Sequence, residues 1–136
     1  MLTRPKIETI LQNFHERLCG VVIECKSYDE FITLYDRPDT LFYLDPPYWG
    51  CEKDYGKDCF NREDFTKLRE LLRALKGKFI LSLNDLPEVR DHFAEFQQKA
   101  VETTYSISKA DNAQSVSELI ISNTNLDFTP SQAALF

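Results

Sequence analysis

Thr40–Gly50 reads TLFYLDPPYWG, and the fold turns on how this stretch is parsed. Its first five residues show no polar alternation, the pattern of a central strand covered on both faces. Asp45-Pro46-Pro47 then ends regular pairing, because proline has no N–H to give. The residue before a proline is pushed to extended geometry, so Asp45 is presented at the strand end in a fixed direction. Pro46 adds a carbonyl and Tyr48 an aromatic face. A rigid turn therefore offers two acceptors beside a flat ring, an arrangement suited to a planar, neutral amine that must lose a proton. The plainer alternative for the same residues is a proline-rich turn with a packed tyrosine.

Outward from this stretch, helical and extended patterns alternate. Upstream, Ile7, Ile10, Leu11 and Phe14 repeat at helical spacing between Pro5 and Arg17, with Gly20 as a stop. Val21–Glu24 (VVIE) reads as a short strand. Ser27 and Glu30 have capping-box spacing ahead of a helix that would bury Phe31, Ile32 and Tyr35. Asp36-Arg37-Pro38-Asp39 is turn chemistry. Downstream, residues 51–60 read as a polar, mobile loop. Asn61 caps a helix carrying Phe65, Leu68, Leu71, Leu72 and Leu75, and Gly77 ends it.

Lys78–Leu83 (KFILSL) is a second buried strand, ending in Asn84-Asp85. Pro87 opens a helix with Val89, Phe93 and Phe96. Val101–Ile107 alternates like a less buried strand, Lys109–Ser117 is a polar linker, and Glu118–Ser122 (ELIIS) makes a last strand. The pattern predicts an α/β sheet whose chemistry lies at the carboxyl ends of its strands.

The chain has 136 residues, 43% apolar and 28% charged, which suits one globular domain with a real core. Sixteen Lys and Arg against 22 Asp and Glu give a net charge of -6. This argues against a broad DNA-coating surface but leaves room for a local, shaped nucleic-acid site. No run of 18 apolar residues exists, so no membrane span is expected, and the N-terminal residues lack the regions of a signal peptide. Cys19, Cys25, Cys51 and Cys59 have neither metal-ligand spacing nor disulfide-scaffold density. The expectation is reduced thiols in a cytoplasmic protein with no structural metal.

With these segments in hand, the chain resembles the Dam-type (D12) adenine-specific DNA methyltransferases of the DPPY class, over their catalytic half. TLFYLDPPYWG carries most of the likeness, supported by VVIECKSYDEFI, KGKFILSLNDLPEV and ELIISN in the same order. The resemblance implies methyl transfer from S-adenosylmethionine to the exocyclic amine of an adenine flipped out of double-stranded DNA. Asp45 and the Pro46 carbonyl would accept hydrogen bonds from that amine, Pro47 would stiffen the turn, and Tyr48 would stack on the base. Ser27 and Tyr28 align with a block that helps hold the cofactor's adenine, as Asp45 also would. Many relatives have Asp at the position of Ser27. A helix cap and a core aromatic explain Ser27 and Tyr28 equally well. Trp49 and Asn84 would line the substrate cleft, or serve as a loop anchor and a turn residue. Lys53, Lys57 and Arg62 would be the residues to touch phosphate, but Glu52, Asp54, Asp58 and Glu63 offset them locally, which is most simply a solvated loop.

The resemblance also implies what is missing. A complete member carries a Phe-x-Gly-x-Gly turn that cradles the cofactor's methionine part, and no two of Gly20, Gly50, Gly56 and Gly77 are close enough to form it. A partial Rossmann-like methyltransferase sheet is expected, mostly parallel with the last strand antiparallel, lacking the first two strands of the family order 3-2-1-4-5-7-6. Residues 1–123 would be the C-terminal catalytic half of that domain and residues 124–136 a flexible tail. The strand Thr40–Leu44 would then have a bare edge, which is a template for pairing. Two outcomes are expected: Val21–Glu24 moves beside Thr40–Leu44 within the monomer, or the edge meets another copy or a complementing chain. Cofactor binding would be weakened.

The last residues, Gln132-Ala133-Ala134-Leu135-Phe136, resemble Gln-x-x-Leu-Phe peptides that dock on the bacterial sliding clamp, with Gln132, Leu135 and Phe136 as contacts. Two rival functions stand beside adenine methylation. One is methylation of the cytosine amine, which the same acceptors would suit. The other is a non-catalytic remnant or adaptor acting through its sheet edge or tail.

Overall fold

The computed structural model describes residues 4–51, 60–104 and 115–126; Lys53, Lys57 and the Gln132–Phe136 tail lie outside them, as does most of the expected loop 51–60. Helix α1 (Arg4–Leu18) is followed by α2 (Tyr28–Tyr35), β1 (Leu41–Leu44), α3 (Arg62–Ala74), β2 (Lys78–Asn84), α4 (Pro87–His92), β3 (Gln97–Thr104) and β4 (Ser115–Ser122). The strands form one sheet in the order β1-β2-β4-β3. β1 and β2 are parallel, with Phe42 opposite Phe79, and β4 runs antiparallel to both β2 and β3. This is a mixed α/β sheet of four strands with β4 reversed.

The register aligns Phe42 and Leu44 with Phe79 and Leu81, and Leu81 and Leu83 with Ile121 and Leu119, on one face of the sheet. Ile32 of α2, Phe65, Leu68 and Leu72 of α3, and Val89 and Phe93 at α4 join them in a single buried cluster. Phe65, Phe79, Phe93, Leu81, Leu83, Leu119 and Ile121 are wholly buried. Helix α3 is well specified locally. The Asn61 side chain accepts from the Glu63 and Asp64 amides while Asp64 accepts from the Asn61 amide, a complete capping box.

The turn from α3 to β2 is fixed by Asp36, whose carboxylate accepts from the Lys76 amide (2.9 Å) and the Gly77 amide (3.0 Å). A Cβ on Gly77 would sit 2.7 Å from the Thr40 carbonyl oxygen and 2.8 Å from that of Arg37. Gly77 is therefore required for close approach to the chain entering β1, not as the helix stop; the cap of α3 is Leu75.

Several expectations are corrected. Val21–Glu24 is not a strand and does not move beside β1: its side chains are exposed, Ile23 at 85%. A four-residue segment cannot hold a strand without a paired neighbour, because the backbone groups need partners. β1 is not a covered central strand but an edge strand, with Leu41 and Tyr43 facing solvent at 61% and 68% exposure. Ser27 occupies the N-cap of α2 without a capping bond, since its hydroxyl bonds the Asp29 carboxylate instead. α4 stops at His92, before Phe93 and Phe96. β3 begins four residues earlier than expected, and β4 takes in Ser115–Ser117 of the expected linker. Leu126, inside the expected tail, is buried, with the Lys99 ammonium donating to its carbonyl.

Candidate active site

β1 delivers Asp45 to the carboxyl end of the sheet, next to the end of its parallel neighbour β2. Asp45 is exposed, and Pro46, Pro47, Tyr48 and Trp49 are half-buried. Behind Asp45 lies a cavity of about 310 Å³, walled by Tyr28, Phe31, Tyr43, Leu44, the Asp45-Pro46-Pro47 turn, Phe60 and Leu68. Its walls are mostly aromatic and apolar, with Asp45 the acid among them. Three segments distant in sequence thus converge: the start of α2, the end of β1 and the entry to α3.

Tyr28 lines this cavity, whereas Ser27 is exposed and is not part of its wall. The Tyr28 hydroxyl donates to the Asp64 carboxylate at 2.9 Å, and its ring lies 5.7 Å from that of Phe60. Burial first, then the Asp64 carboxylate, raises the Tyr28 hydroxyl well above the ordinary phenol range. Tyr28 therefore stays a neutral donor with its ring held in place.

The turn after Pro47 is built by a different set of contacts. The Cys51 amide donates to the Tyr48 carbonyl at 2.8 Å across a four-residue turn whose third position is Gly50, at φ +90°. Only glycine takes that angle without strain, as a type II turn demands. The Asn84 side chain then grips Trp49 at two points. Its carbonyl accepts from the Trp49 amide (2.9 Å) and its amide donates to the Trp49 carbonyl (3.0 Å). The indole packs on Phe65 (4.7 Å) and His92 (5.2 Å), with the Arg62 guanidinium 4.0 Å over its ring. Trp49 is thus packed against α3 and His92, and Asn84 ties its backbone to the end of β2.

Tyr48 is fixed from the far side of the sheet. Its hydroxyl donates to the Glu118 carboxylate on β4, which also accepts from the Ser82 hydroxyl at 3.4 Å. Asp85 is engaged elsewhere, in a two-point pair with Arg90 and a 3.0 Å bond from Ser117. The Arg90 bonds hold its carboxyl below the usual range.

Glu118, Asp64, Phe60 and His92 were not singled out by sequence reasoning. Glu118 meets Tyr48 across 70 residues, and nothing in either segment signals the pairing; only sheet topology creates it. Asp64 is visible in the sequence as a capping residue, which hides its second role.

Comparison with known proteins assigns the sequence to a family. The model of the D12 class N6 adenine-specific DNA methyltransferases matches residues 3–107. Type II methyltransferase M.CviBI of Paramecium bursaria Chlorella virus NC1A is 24% identical over 98 residues, covering 72% of this chain and 38% of that protein. The chain thus spans well under half of that relative's length. With its Asp-Pro-Pro-Tyr turn at the end of a parallel strand and a family match across most of its residues, the chain belongs to the D12 class N6 adenine-specific DNA methyltransferases.

Proposed function

We propose that this chain carries the amine-orienting half of a DNA adenine methyltransferase site, acting on a base flipped from double-stranded DNA with S-adenosylmethionine as methyl donor. The observation that carries the reading is the Asp45-Pro46-Pro47 turn at the mouth of an aromatic cavity on the sheet's carboxyl edge. The sheet order β1-β2-β4-β3 with β4 reversed supports the Rossmann-like assignment, since it repeats the 4-5-7-6 end of the family order. Residues 1–123 would be the catalytic half of the domain.

The cavity tests the cofactor. At about 310 Å³ it lies at the lower limit of the roughly 300–1,000 Å³ typical of ligand sites, enough for part of S-adenosylmethionine. Its flat, apolar walls fit the adenine part, with Tyr28 and Phe60 as ring contacts and Asp45 at the rim. The cofactor, when bound, supplies a methyl group made electrophilic by its sulfonium. The chain's own residues position and polarise. The Asp45 carboxylate and Pro46 carbonyl accept hydrogen bonds from the amine's two N–H groups, which directs the nitrogen lone pair out of the ring plane. Tyr48 offers its ring to the base while Glu118 fixes the ring's orientation. Trp49 and Asn84 hold the turn so that these acceptors keep their direction.

The test is transfer of labelled methyl from S-adenosylmethionine to defined duplexes, followed by nucleoside analysis. N6-methyladenine is expected, with Asp45→Ala lowering the rate by about 10²–10³. N4-methylcytosine as the product would move the reading to the rival amine. Absence of product together with absent cofactor binding by calorimetry would favour the non-catalytic adaptor. That second reading has its own support in the exposure of every residue from Ile7 to Ser27.

A further inference from the structure

Asp64 is the third residue of α3, with its side chain 15% exposed, and its two carboxylate oxygens have different partners. One oxygen accepts from the Asn61 amide at 2.8 Å and closes the capping box. The other accepts from the Tyr28 hydroxyl at 2.9 Å, across 36 residues of sequence. A capping box needs only the first of these bonds. Lys67 comes no closer to the second oxygen than 3.9 Å, from an exposed position, and adds little to it.

Tyr28 depends on this bond for its position. It is the first residue of α2, and that end of the helix has no side-chain capping bond. Its ring walls the cavity behind Asp45 together with Phe60, 5.7 Å away. Phe60 directly precedes the Asn61 cap and packs edge-on against Phe65 of α3 at 4.9 Å. Both of these rings are therefore set from the start of α3, Phe60 by packing and Tyr28 through Asp64.

We infer that Asp64 is a positioning residue for the cofactor's adenine ring, presetting Tyr28 as a flat wall through the same carboxylate that caps α3. The inference rests on the cofactor reading of the cavity given above. A ring already fixed before binding need not be ordered on binding. Losing that advantage for one side chain weakens affinity by about three- to tenfold. Because cap and wall share one carboxylate, the coupling runs both ways. Cofactor held against Tyr28 should also steady Asp64 and protect the Asn61 amide from exchange.

Calorimetric titration of the full chain with S-adenosylmethionine, without DNA, tests this on Tyr28→Phe, Asp64→Ala, the double variant and Asn61→Ala. Tyr28→Phe and Asp64→Ala should each weaken binding by about three- to tenfold, and the double variant no further than Asp64→Ala alone. Tyr28→Phe keeps the ring and the whole capping box, so it reads the bond even where Asp64→Ala fails to fold. Asn61→Ala breaks the same capping box but spares the Tyr28 bond. Its thermal stability should fall while its affinity stays within about twofold of the wild type. Equal losses of affinity in Asn61→Ala and Asp64→Ala would make Asp64 a cap alone and overturn the inference. Additive effects of Tyr28→Phe and Asp64→Ala, or Asn61 exchange unchanged at saturating cofactor, would overturn it too. A wild-type chain that binds no cofactor fails at an earlier step, removing the cofactor reading of the cavity and this inference with it.

Discussion

Residues 7–27 and residues 60–126 are built from similar proportions of apolar side chains, yet they use them in opposite ways. The first stretch has every side chain exposed, including Phe14 and Ile23; in the second, no Phe, Leu, Ile or Val among the described residues is exposed. The difference is not one of helix-forming pattern, since α1 and α3 are both amphipathic. It lies in what each helix has to pack against. α3 meets the row Phe42, Phe79 and Leu81 on the near face of the sheet, whereas no such row is offered to α1. Amphipathic pattern shows that a helix has a face to bury, and only topology decides whether this chain buries it.

The widest separation between the two regions should appear in stability. Phe65 is wholly buried and touches the rings of Trp49 and Phe60. Phe65→Ala should therefore cost about 3–5 kcal/mol in urea unfolding. Phe14→Ala, measured at a dilution where the chain is monomeric, should stay within about 0.5 kcal/mol. Equal losses at the two sites would break the comparison, because they would mean that α1 is packed within the monomer.

Asn84 comes next. Its two bonds to the Trp49 backbone are half-buried, so Asn84→Ala should cost about 1–3 kcal/mol by leaving those groups without partners. Under the proposed function, the clamp sets the turn that presents Asp45, and methyl transfer should fall further than stability does. Trp49, the single tryptophan, reports the change directly by fluorescence. An unaltered emission spectrum would show that the indole is held by Phe65, His92 and Arg62 alone.

A smaller contrast separates the helix caps. Asn61→Ala removes a complete capping box and should cost about 1 kcal/mol. Ser27→Ala at the start of α2 should cost a few tenths at most, since Ser27 makes no capping bond. Both sites have cap chemistry in sequence, so thermal unfolding of the two variants isolates what the formed bond contributes.

What was legible in the sequence follows the same division. The strand Leu41–Leu44, the helix after Asn61, the strand after Gly77 and the turn at Asp45 could be read because their signals are local: apolar runs, caps and prolines. The placement of Asp45-Pro46-Pro47-Tyr48 at the carboxyl end of that strand was legible for that reason too. Val21–Glu24 was misread because β-branched residues favour a strand only where a neighbour pairs with them. The Tyr48–Glu118 and Tyr28–Asp64 contacts were illegible because they join segments that only the sheet order and the packing of α2 on α3 bring together. Gly77 carried a signal, but close approach to Thr40 and a helix stop both ask for glycine, and sequence cannot separate them.

The smallest effect expected is a pH dependence confined to the packed region. Burial lowers the His92 pKa below its ordinary value, with Arg69 and Arg62 reinforcing the shift and a backbone bond from Phe65 opposing it. An unfolded histidine titrates near about 6.5, so just below that pH the unfolded chain binds more protons than the folded one. His92 therefore favours the fold fully above about pH 6.5, and the contribution is lost as pH falls from there through the folded value. Asp85 and Glu95 are also lowered, by Arg90 and Arg73 respectively, but their windows lie below the ordinary carboxylate range near about 4. Among the described residues, urea midpoints between about pH 7.5 and pH 5 should thus decline through His92, and His92→Gln should flatten that limb. Because the imidazole lies 5.2 Å from Trp49, the tryptophan signal should follow the same limb in the wild-type chain. A slope that survives His92→Gln would place the titrating group outside the Trp49 cluster and remove the pH argument from the packed half of the molecule.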